Sequence, residues 1–346
     1  MSFGIIGSGS WGTALAKILT DNGETIHWWI RNQESIDYFN KRSHNPHYLP
    51  SAKFDITKTK FSSNIEEVIQ NAEYLVMAVP SAYVVSVLSS LPKNIFSGKK
   101  IISAIKGILP KENLLLNDYL SSSFDFATDN YFAVLGPCHA EEVAAEKLSY
   151  LTFAGIDEAE TGSIAEHFKS PYLKTIVNKD INGVQYAAVL KNIYALGAGI
   201  AHGLDYGDNF LSVLIANSAD EMAVFLRKAG IINAEVGYIE HGGKNIANES
   251  HNNYAASVYL GDLLVTCYSL YSRNRAFGNM IGKGYSVKAA QLELNMVAEG
   301  LNASRCMQAI NQTIEAEMPI ATTVYKILWE NLPAAEGFRY IEENLI

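Results

Sequence analysis

The sequence has few cysteines, no long apolar run and no excess of positive charge. Its three cysteines, Cys138, Cys267 and Cys306, are far apart and odd in number. This argues against a disulfide framework or a cysteine-based zinc site and fits a reducing cytoplasm. No apolar run reaches the roughly 18 residues that a membrane span needs. A formal net charge of −9 argues against a nucleic-acid or anionic-membrane partner, but a local cluster of cations could still hold a small anion.

Metal-ligand patterns and targeting segments are also missing. None of the eight histidines forms an H-x-x-x-H pattern or a carboxylate-rich ligand set, so we predict no structural metal. A strand is expected at the very start of the chain, which leaves no room for a signal peptide. We find no internal repeat and no low-complexity tract. A chain of 346 residues that is nearly half apolar predicts two globular domains.

The first nineteen residues predict a strand, a glycine-rich turn and a helix. Phe3–Ile6 is a short apolar run, and good helix formers follow from residue 13. Between them, Gly7, Gly9 and Gly12 stand in G-x-G-x-x-G order. In such a turn the first glycine allows a tight exit from the strand, the second allows close approach to a pyrophosphate, and the third allows close helix–strand packing. The helix N-terminus adds unpaired N–H groups and partial positive charge, so the turn predicts dinucleotide binding.

The second predicted strand, 25–30, ends without the acidic residue that a strictly NAD-dependent fold usually places there. Arg31 stands at that position. An arginine can stack on adenine or meet a 2′-phosphate, which would suit NADP, or it can be a solvated loop residue.

Strands that alternate with helices predict a Rossmann-type, doubly wound parallel sheet in the first half of the chain. The stretch 35–62 is polar and contains two prolines, so we expect it to be irregular. The further predicted strands are 74–79, 100–105, 131–135, 150–154 and 174–177, with helices at 65–70 and 84–91.

Several polar or special residues follow directly after these predicted strands. They are Gly7, Arg31, Pro80, Lys106 and Gly136. Ligands of open α/β sheets bind at the carboxyl ends of the strands, so this edge is the expected site.

From about residue 180 the pattern becomes wholly helical. Helices are predicted at 183–201, 211–229, 260–271, 287–294 and 296–311. The polar stretch Glu235–Tyr254 is expected to be an exposed loop. We therefore predict a dinucleotide-binding domain over residues 1–180 and an all-α substrate domain over residues 181–346.

Lys191 is the most informative residue of the second half. Small apolar residues surround it at helical spacing. Loss of hydration there would lower the pKa of the lysine and suit it to acid/base catalysis. Alternatively, its ammonium reaches the surface or pairs with a carboxylate.

A second polar set follows at spacings of four, three and four, namely Asp262, Thr266, Ser269 and Arg273. If one helix continues that far, all four lie on one face. They could orient a lysine and bind a phosphate, because the arginine fork matches phosphate oxygens. A solvated polar face is the other interpretation.

Three other positions are open to two interpretations each. Lys106 could hold a substrate oxygen or be a loop lysine. Glu299, which with Gly300 opens a turn in a helical run, could meet a ribose or lie at the surface. Cys138 could be a nucleophile or a packed wall of the site, and we expect a packed wall because no histidine–aspartate partner pattern accompanies it.

Ten motifs in this order resemble the NAD(P)-dependent glycerol-3-phosphate dehydrogenases of the soluble bacterial kind, over nearly the whole chain. The matching motifs are Gly7–Ala16, Ala78–Ser81, Lys106–Gly107, Gly136–Pro137, Leu190–Asn192, Ala198–Ile200, Gly203–Leu204, Leu260–Leu263, Ser272–Arg275 and Val297–Gly300.

The resemblance implies interconversion of sn-glycerol 3-phosphate and dihydroxyacetone phosphate with NAD or NADP, by a cytoplasmic homodimer that supplies the phospholipid backbone. It implies that Lys191 is the general acid/base and that Lys106 contacts both cofactor and substrate. The other implied cofactor contacts are Ser10, Trp11, Arg31, Ala140, Arg273, Val297 and Glu299. The other implied substrate contacts are Gly136, Cys138, Asp262, Ser272, Arg273 and Asn274, and Thr266 is expected to help orient Lys191.

Three stretches depart from the family pattern. The sequence has Ala216–Ser218 where Thr-Arg-Gly is frequent, a longer link at Glu235–Tyr254, and Cys138 where threonine or asparagine is common. Two other functions stay open on the sequence alone: a related dehydrogenase of a 3-hydroxy acid or sugar acid phosphate, and a nucleotide-sensing regulator without catalysis.

Overall fold

The computed structural model describes residues 1–231, 258–294 and 297–345. The chain divides into two compact units, Met1–Ile181 and Asn182–Ile346. The predicted loop Glu235–Tyr254 and the predicted helix start at Met296 lie outside the described residues.

The first unit is an eight-stranded sheet in the order β3-β2-β1-β4-β5-β6-β7-β8, with helices between successive strands. Single-turn 3-10 helices occur at Ile56–Lys58 and Thr128–Asn130. The strands and helices are β1 Phe3–Ile6, α1 Ser10–Asp21, β2 Ile26–Trp29, α2 Gln33–Arg42, β3 Thr59–Ser62, α3 Ile65–Asn71, β4 Tyr74–Met77, α4 Ser81–Leu88, β5 Lys100–Ser103, α5 Leu116–Phe124, β6 Tyr131–Leu135, α6 Ala140–Ala144, β7 Ser149–Gly155, α7 Glu158–Phe168 and β8 Leu173–Asn178.

Continuous apolar runs explain the central strands. Every residue of β1, β4 and β6 is buried, as expected for strands covered by helices on both faces. Trp28 of β2 is fully buried among Phe39, Phe54 and Phe61, which gives the unit an aromatic core on that side.

The prediction of a wholly parallel sheet is wrong at its last two strands. β1 to β6 pair in parallel, but β7 is antiparallel to β6, and β8 is parallel to β7. The link from β6 to β7 contains only the five-residue helix α6. Parallel connections usually contain a full crossover helix, so a link with so short a helix favours an antiparallel return.

The irregular stretch predicted over 35–62 is also wrong, since it contains most of α2 and all of β3. The Asn32 side chain caps α2 by accepting from the Ser35 N–H. Only three residues of α2 are buried, so its apolar periodicity is weak. β3 is an edge strand and mixes polar with apolar residues.

In the residues described, the second unit contains helices and connecting segments but no strand. This confirms the predicted class, a Rossmann-type α/β sheet followed by an all-α half. The helices are α8 Ile181–Gly203, α9 Asp208–Lys228, α10 Leu260–Tyr268, α11 Arg273–Gly282, α12 Val287–Leu294, α13 Glu299–Ile314, α14 Pro319–Trp329 and α15 Ala334–Asn344.

Two helix predictions in this unit need correction. The helix predicted over 260–271 ends at Tyr268, because Ser269 is extended, and a new helix begins at Arg273. Ser269 and Arg273 therefore do not continue the helical face of Asp262 and Thr266. Glu299 does not open a turn within a helix but is the first residue of α13.

Helices α8 and α11 run in the same direction where they cross, and their backbones are in contact there. Gly199 and Gly203 of α8 face Gly278 and Gly282 of α11, and we call these four residues the glycine seam. A Cβ atom at Gly199 or Gly278 would come within 2.1 Å of a carbonyl oxygen of the other helix. The seam therefore excludes every side chain larger than hydrogen.

Helix α9 joins this unit through a buried carboxyl group. By length and composition α9 could cross a membrane, but 56% of its apolar window is buried inside the protein, as in a core helix. Its Glu221 is 5% exposed and accepts the N–H groups of Ile320 and Ala321 in the first turn of α14, at 2.7 and 2.9 Å. Burial raises the pKa of Glu221 to about 7, although these two donors favour its charged form.

The seam predicts a strong contrast between two glycine substitutions. G278A should lower the free energy of unfolding by roughly 2–3 kcal/mol, because the new methyl overlaps backbone of α8. G162A, in the interior of α7, meets open space and should raise it by up to about 1 kcal/mol through helix propensity. Thermal and urea unfolding measure both; equal changes would contradict the close packing of the seam.

Glu221 predicts a pH dependence of stability. Its pKa is higher in the folded state than the ordinary 4.5, so folding retains a proton that the unfolded chain releases. Stability is therefore lost as the pH rises from about 4.5 to about 7, by about 3 kcal/mol. Urea unfolding of the parent and of E221Q at pH 5 and pH 8 tests this. The loss should be absent from E221Q, and the same loss in both proteins would contradict it.

Candidate active site

The glycine-rich turn has the local geometry that each glycine was expected to provide. Gly7 has φ +122°, and a Cβ there would lie 2.8 Å from the backbone of Ala78. A Cβ at Gly12 would lie 2.4 Å from the Gly7 carbonyl oxygen. At Gly9, the residue before α1, a Cβ would meet nothing within 4 Å. The turn is thus crowded on its inner side and open in front of Gly9.

The first turn of α1 presents N–H groups at this open position. The first intrahelical bond runs from the Thr13 N–H to the Gly9 carbonyl, so Ser10, Trp11 and Gly12 have no intrahelical acceptor for theirs. No acidic side chain stands in this first turn. Open space, N–H donors and the positive end of the helix suit a phosphate group.

Lys106 contacts two other residues that the sequence predicts for the site, Trp11 and Gly136. It follows β5, and its Nζ lies 4.9 Å from the centre of the Trp11 ring and 3.5 Å from the Gly136 carbonyl oxygen. The Trp11 Nε1 atom is buried without a hydrogen-bond partner among the described residues. Gly136 has φ +146°, and a Cβ there would lie 2.7 Å from the Tyr150 carbonyl oxygen. The lysine is thus fixed beside the glycine turn with an indole donor next to it.

The residues after β6 form a buried wall. Cys138 is buried, as are the other two cysteines. Ala140 is the buried first residue of α6. A buried thiol and a buried methyl group pack as small apolar side chains, so the structure is compatible with the packing role expected for Cys138.

Arg31 is exposed just past β2 and borders a groove of about 550 Å³. The groove is also lined by Trp29, Asn64, Tyr83 and Ser86. An arginine, hydroxyl groups and aromatic rings can contact an adenine or a phosphate, so both expectations for Arg31 remain predictions.

In the helical unit, Lys191 lies in a buried polar cluster with Asp262 and Thr266. Lys191 is 3% exposed, and Asp262 is 1% exposed. The lysine Nζ donates to Asp262 Oδ1, and it donates to Thr266 Oγ1 at 3.2 Å. The lysine therefore pairs with a carboxylate, which was one of the two interpretations of the sequence.

Asp262 has one oxygen left over. Its Oδ2 is buried and has no hydrogen-bond partner among the described residues. A buried carboxylate oxygen without a donor is costly, so Oδ2 is a candidate acceptor for a ligand hydroxyl.

The Asn274 side chain, on α11, connects this helix to α8 and α13. Its Nδ2 donates to Asn192 Oδ1 on α8 at 2.8 Å, and its Oδ1 accepts the Gly300 N–H on α13 at 3.0 Å. Asn192 is the neighbour of Lys191, so this bridge fixes the backbone that carries the lysine.

The predicted residues around α11 and α13 lie at helix starts. Ser272 caps α11 by accepting the Arg275 N–H at 3.2 Å, and Arg273, which follows it, is exposed. Val297 and Glu299, at the start of α13, are partly buried. In the described part of the chain no group of three or more His, Cys, Asp or Glu side chains could hold a metal ion.

A glycine turn of this geometry on a Rossmann-type sheet, followed by a helical unit with a buried lysine–aspartate pair, is typical of nicotinamide-dependent dehydrogenases. Comparison with known proteins narrows the class. Models of the NAD-dependent glycerol-3-phosphate dehydrogenase N-terminus and C-terminus match residues 2–161 and 180–339. The chain belongs to the NAD-dependent glycerol-3-phosphate dehydrogenase family.

Individual relatives agree with this assignment. The glycerol-3-phosphate dehydrogenase (NAD(P)+) of Bacillus cytotoxicus is 32% identical over 336 residues, which are 96% of this chain and 93% of that protein. The crystal structure of the Coxiella burnetii glycerol-3-phosphate dehydrogenase is 27% identical with a TM-score of 0.85, covering 99% of this chain and 98% of that one. The Saccharomyces cerevisiae enzyme, at 23% identity, a TM-score of 0.79 and 99% coverage of both chains, shares the fold.

The family resemblance drawn from the motifs is therefore confirmed, and the cofactor is NAD or NADP. The residues present fit this cofactor, because the space at Gly9 and the N–H groups of α1 form a cradle that a Cβ would fill. The unpartnered indole N–H of Trp11 is a further donor beside it.

Sequence reasoning missed two side chains that shape the turn. The Trp28 Nε1 atom donates to the Gly7 carbonyl at 2.9 Å, and Asn45 Nδ2 donates to the Ser8 carbonyl at 3.0 Å. The sequence pattern predicts only a strand at Trp28, and Asn45 lies in the stretch expected to be irregular. The only sequence signal is the pair Asn45-Pro46, which by itself indicates a turn.

Two glycine substitutions separate cofactor binding from folding. The melting temperature of G9A should lie within about 2 °C of that of the parent. G9A should nevertheless bind NAD(P)H at least tenfold more weakly, because its methyl group occupies the space expected for the phosphate. G12A should instead lose thermal stability, because its methyl meets the Gly7 carbonyl. Nucleotide titration and thermal unfolding measure both effects. Unchanged binding by G9A would contradict the placement of the phosphate.

Proposed function

We propose that the chain interconverts sn-glycerol 3-phosphate and dihydroxyacetone phosphate with Lys191 as the general acid and base. The observation that carries this is the buried Lys191, held by Asp262 and Thr266. When bound, the nicotinamide supplies or accepts the hydride at C2. The residues of the chain then have to bind the phosphate and move the proton at the C2 oxygen.

Lys191 is suited to that proton transfer because its Nζ is fixed from two sides. In the direction of ketone reduction, the ammonium group donates a proton to the C2 oxygen as negative charge develops there. In the reverse direction, the amine takes the proton from the C2 hydroxyl. A positioned group of this kind contributes roughly 10²- to 10⁴-fold to the rate.

Asp262 has two tasks in this proposal. Its Oδ1 orients Lys191, and its unpartnered Oδ2 accepts a hydrogen bond from a substrate hydroxyl. Loss of Asp262 would therefore affect both the lysine and substrate binding.

The start of α11 supports phosphate binding. Arg273 is the first residue of the helix and is exposed beside the N–H groups of Arg273 and Asn274, which have no intrahelical acceptor. The Asn274 side chain already bridges α8 and α13, so we propose that Asn274 contributes its backbone N–H. Ser272 fixes where the helix begins.

Lys106 supplies a further positive charge in this proposal. Its contacts with Trp11 and Gly136 hold it beside the cofactor turn, where it can contact both cofactor and substrate. Lys106 in the first unit, and Lys191 and Arg273 in the second, are the proposed cations of a chain whose acidic net charge otherwise disfavours a dianionic substrate. Cys138, Ala140, Val297 and Glu299 complete the proposed set of contacts.

The family resemblance supports several broader proposals. We propose that residues 1–180 bind the cofactor and that residues 181–346 bind the substrate. We further propose a cytoplasmic homodimer that supplies glycerol 3-phosphate for phospholipid synthesis, without nucleic-acid or integral-membrane association. Arg31 supports use of NADP as well as NAD, which initial rates with NADH and NADPH would compare.

Substitution of Lys191 tests the mechanism. K191M should lower kcat for dihydroxyacetone phosphate reduction by roughly 10²-fold or more, because the proton donor is lost. Oxidation of NADH or NADPH, followed by absorbance, measures the rate.

K17M provides the matched control. Lys17 is 6% exposed and also pairs with an aspartate, Asp21, but it lies on α1 outside the proposed site. K17M should keep kcat within about threefold of the parent even if its thermal stability falls. A K191M rate within a few-fold of the parent, or an equal loss in both variants, would rule out the assignment of Lys191.

A further inference from the structure

Asn45 lies in the link between α2 and β3, yet its side chain is 3% exposed. It makes hydrogen bonds in two directions. Its Oδ1 accepts the N–H groups of His47 and Tyr48 at 2.9 and 3.1 Å. Its Nδ2 donates to the Ser8 carbonyl at 3.0 Å and to Thr13 Oγ1 at 2.8 Å. The side chain therefore connects a folded loop to the glycine-rich turn.

The turn has each of its three successive carbonyl groups tied to a neighbour. The Gly7 carbonyl accepts from Trp28 Nε1 at 2.9 Å, and the Ser8 carbonyl accepts from Asn45. The Gly9 carbonyl accepts from the Thr13 hydroxyl at 2.8 Å and from the Thr13 N–H at 2.9 Å. Asn45 itself bonds the Thr13 hydroxyl, so it acts on two of these three carbonyls.

Tied carbonyl groups fix the directions of the N–H groups that follow them. In a planar trans peptide, the C=O of one residue and the N–H of the next point in opposite directions. A Ser8 carbonyl held towards Asn45 therefore directs the Gly9 N–H away from Asn45. In the same way, the bonds of Thr13 to the Gly9 carbonyl direct the Ser10 N–H.

Glycine makes this constraint necessary. Gly7 and Gly9 have no Cβ and can adopt many backbone conformations, so the unliganded turn would lose its N–H directions without other restraints. Donors that are already oriented bind a ligand without a further ordering cost.

We propose that Asn45 is a positioning residue for the pyrophosphate of NAD(P). It touches neither the substrate nor the reacting atoms, and it acts by holding the Ser8 and Gly9 peptides. The inference rests on the cofactor assignment but adds a residue outside the glycine motif and outside the contacts implied by the family resemblance.

The test measures nucleotide affinity, catalysis and stability separately. N45A should weaken the binding of NADH or NADPH about tenfold and raise the KM for the nucleotide by a similar factor, the effect expected when a hydrogen bond of about 1.4 kcal/mol is lost. The kcat should stay within about threefold, because Lys191 and its partners are unchanged. Binding is followed by quenching of tryptophan fluorescence, without any turnover.

T13V and T20V form a matched pair within α1. Thr13 and Thr20 are both buried and both donate to a carbonyl four residues earlier, but only Thr13 bonds Asn45 and the turn. T13V should weaken nucleotide binding at least threefold, and T20V should leave it within about 1.5-fold. T13V also serves if N45A does not fold, because it leaves the bonds of Asn45 to His47 and Tyr48 in place.

Three outcomes would overturn the inference. N45A or T13V could lose thermal stability with nucleotide affinity unchanged, which would show a purely structural role. T20V could weaken binding as much as T13V, which would show a general effect of helix α1. A parent protein that bound neither NADH nor NADPH would overturn the cofactor assignment as well.

Discussion

The buried pair of Lys191 and Asp262 is the electrostatic constraint that the packing of the helical unit has to satisfy. A charged lysine inside an apolar helix has to be compensated, since an uncompensated buried charge costs several kcal/mol. Asp262 supplies the opposite charge from α10, and Thr266, one turn later, supplies a second acceptor. The packing of α8 against α10 therefore also positions the lysine that we propose as the acid/base group. A pair of this kind adds little net stability compared with apolar packing, which is consistent with a catalytic reason for its presence.

Each unit has to hold a flexible group in a fixed direction, and the two units do so with different contacts. In the first, flexible glycine backbone must present N–H groups in fixed directions, and side chains from elsewhere in the sheet unit hold its carbonyls. In the second, a flexible lysine side chain must present one nitrogen atom, and neighbouring helices hold both the side chain and the backbone that carries it. The Asn192–Asn274–Gly300 bridge and the glycine seam restrain that backbone, so the position of the lysine is determined well beyond its own contacts.

Local sequence signals were sufficient for most of the fold and for the kind of site. Continuous apolar runs predict the buried strands β1, β4 and β6, and long apolar stretches rich in Ala and Gly, without clustered β-branched residues, predict the helical half. Signals that depend on partners distant in the sequence were not found. α2 buries too few residues to show a period. The reversal of β7 leaves no mark in the apolar pattern, because a buried strand has the same apolar run in either direction. The break at Ser269 separated Arg273 from the face of Asp262, since four polar residues at helical spacing look continuous whether or not the backbone turns between them. Asn45 was missed for the same reason, because its partners are about 35 residues earlier in the chain.

The glycine seam has a consequence for how such a protein can diverge. Where two helices touch through side chains, a change on one can be accommodated by a change on the other, and the distance between them drifts gradually. Where they touch through backbone, no compensating pair of substitutions exists, and the four positions of the seam must all remain glycine together. The parallel crossing of α8 and α11 therefore acts as a fixed reference within the helical unit. Descendants that acquire new substrates would retain it and vary the exposed ends of the helices instead.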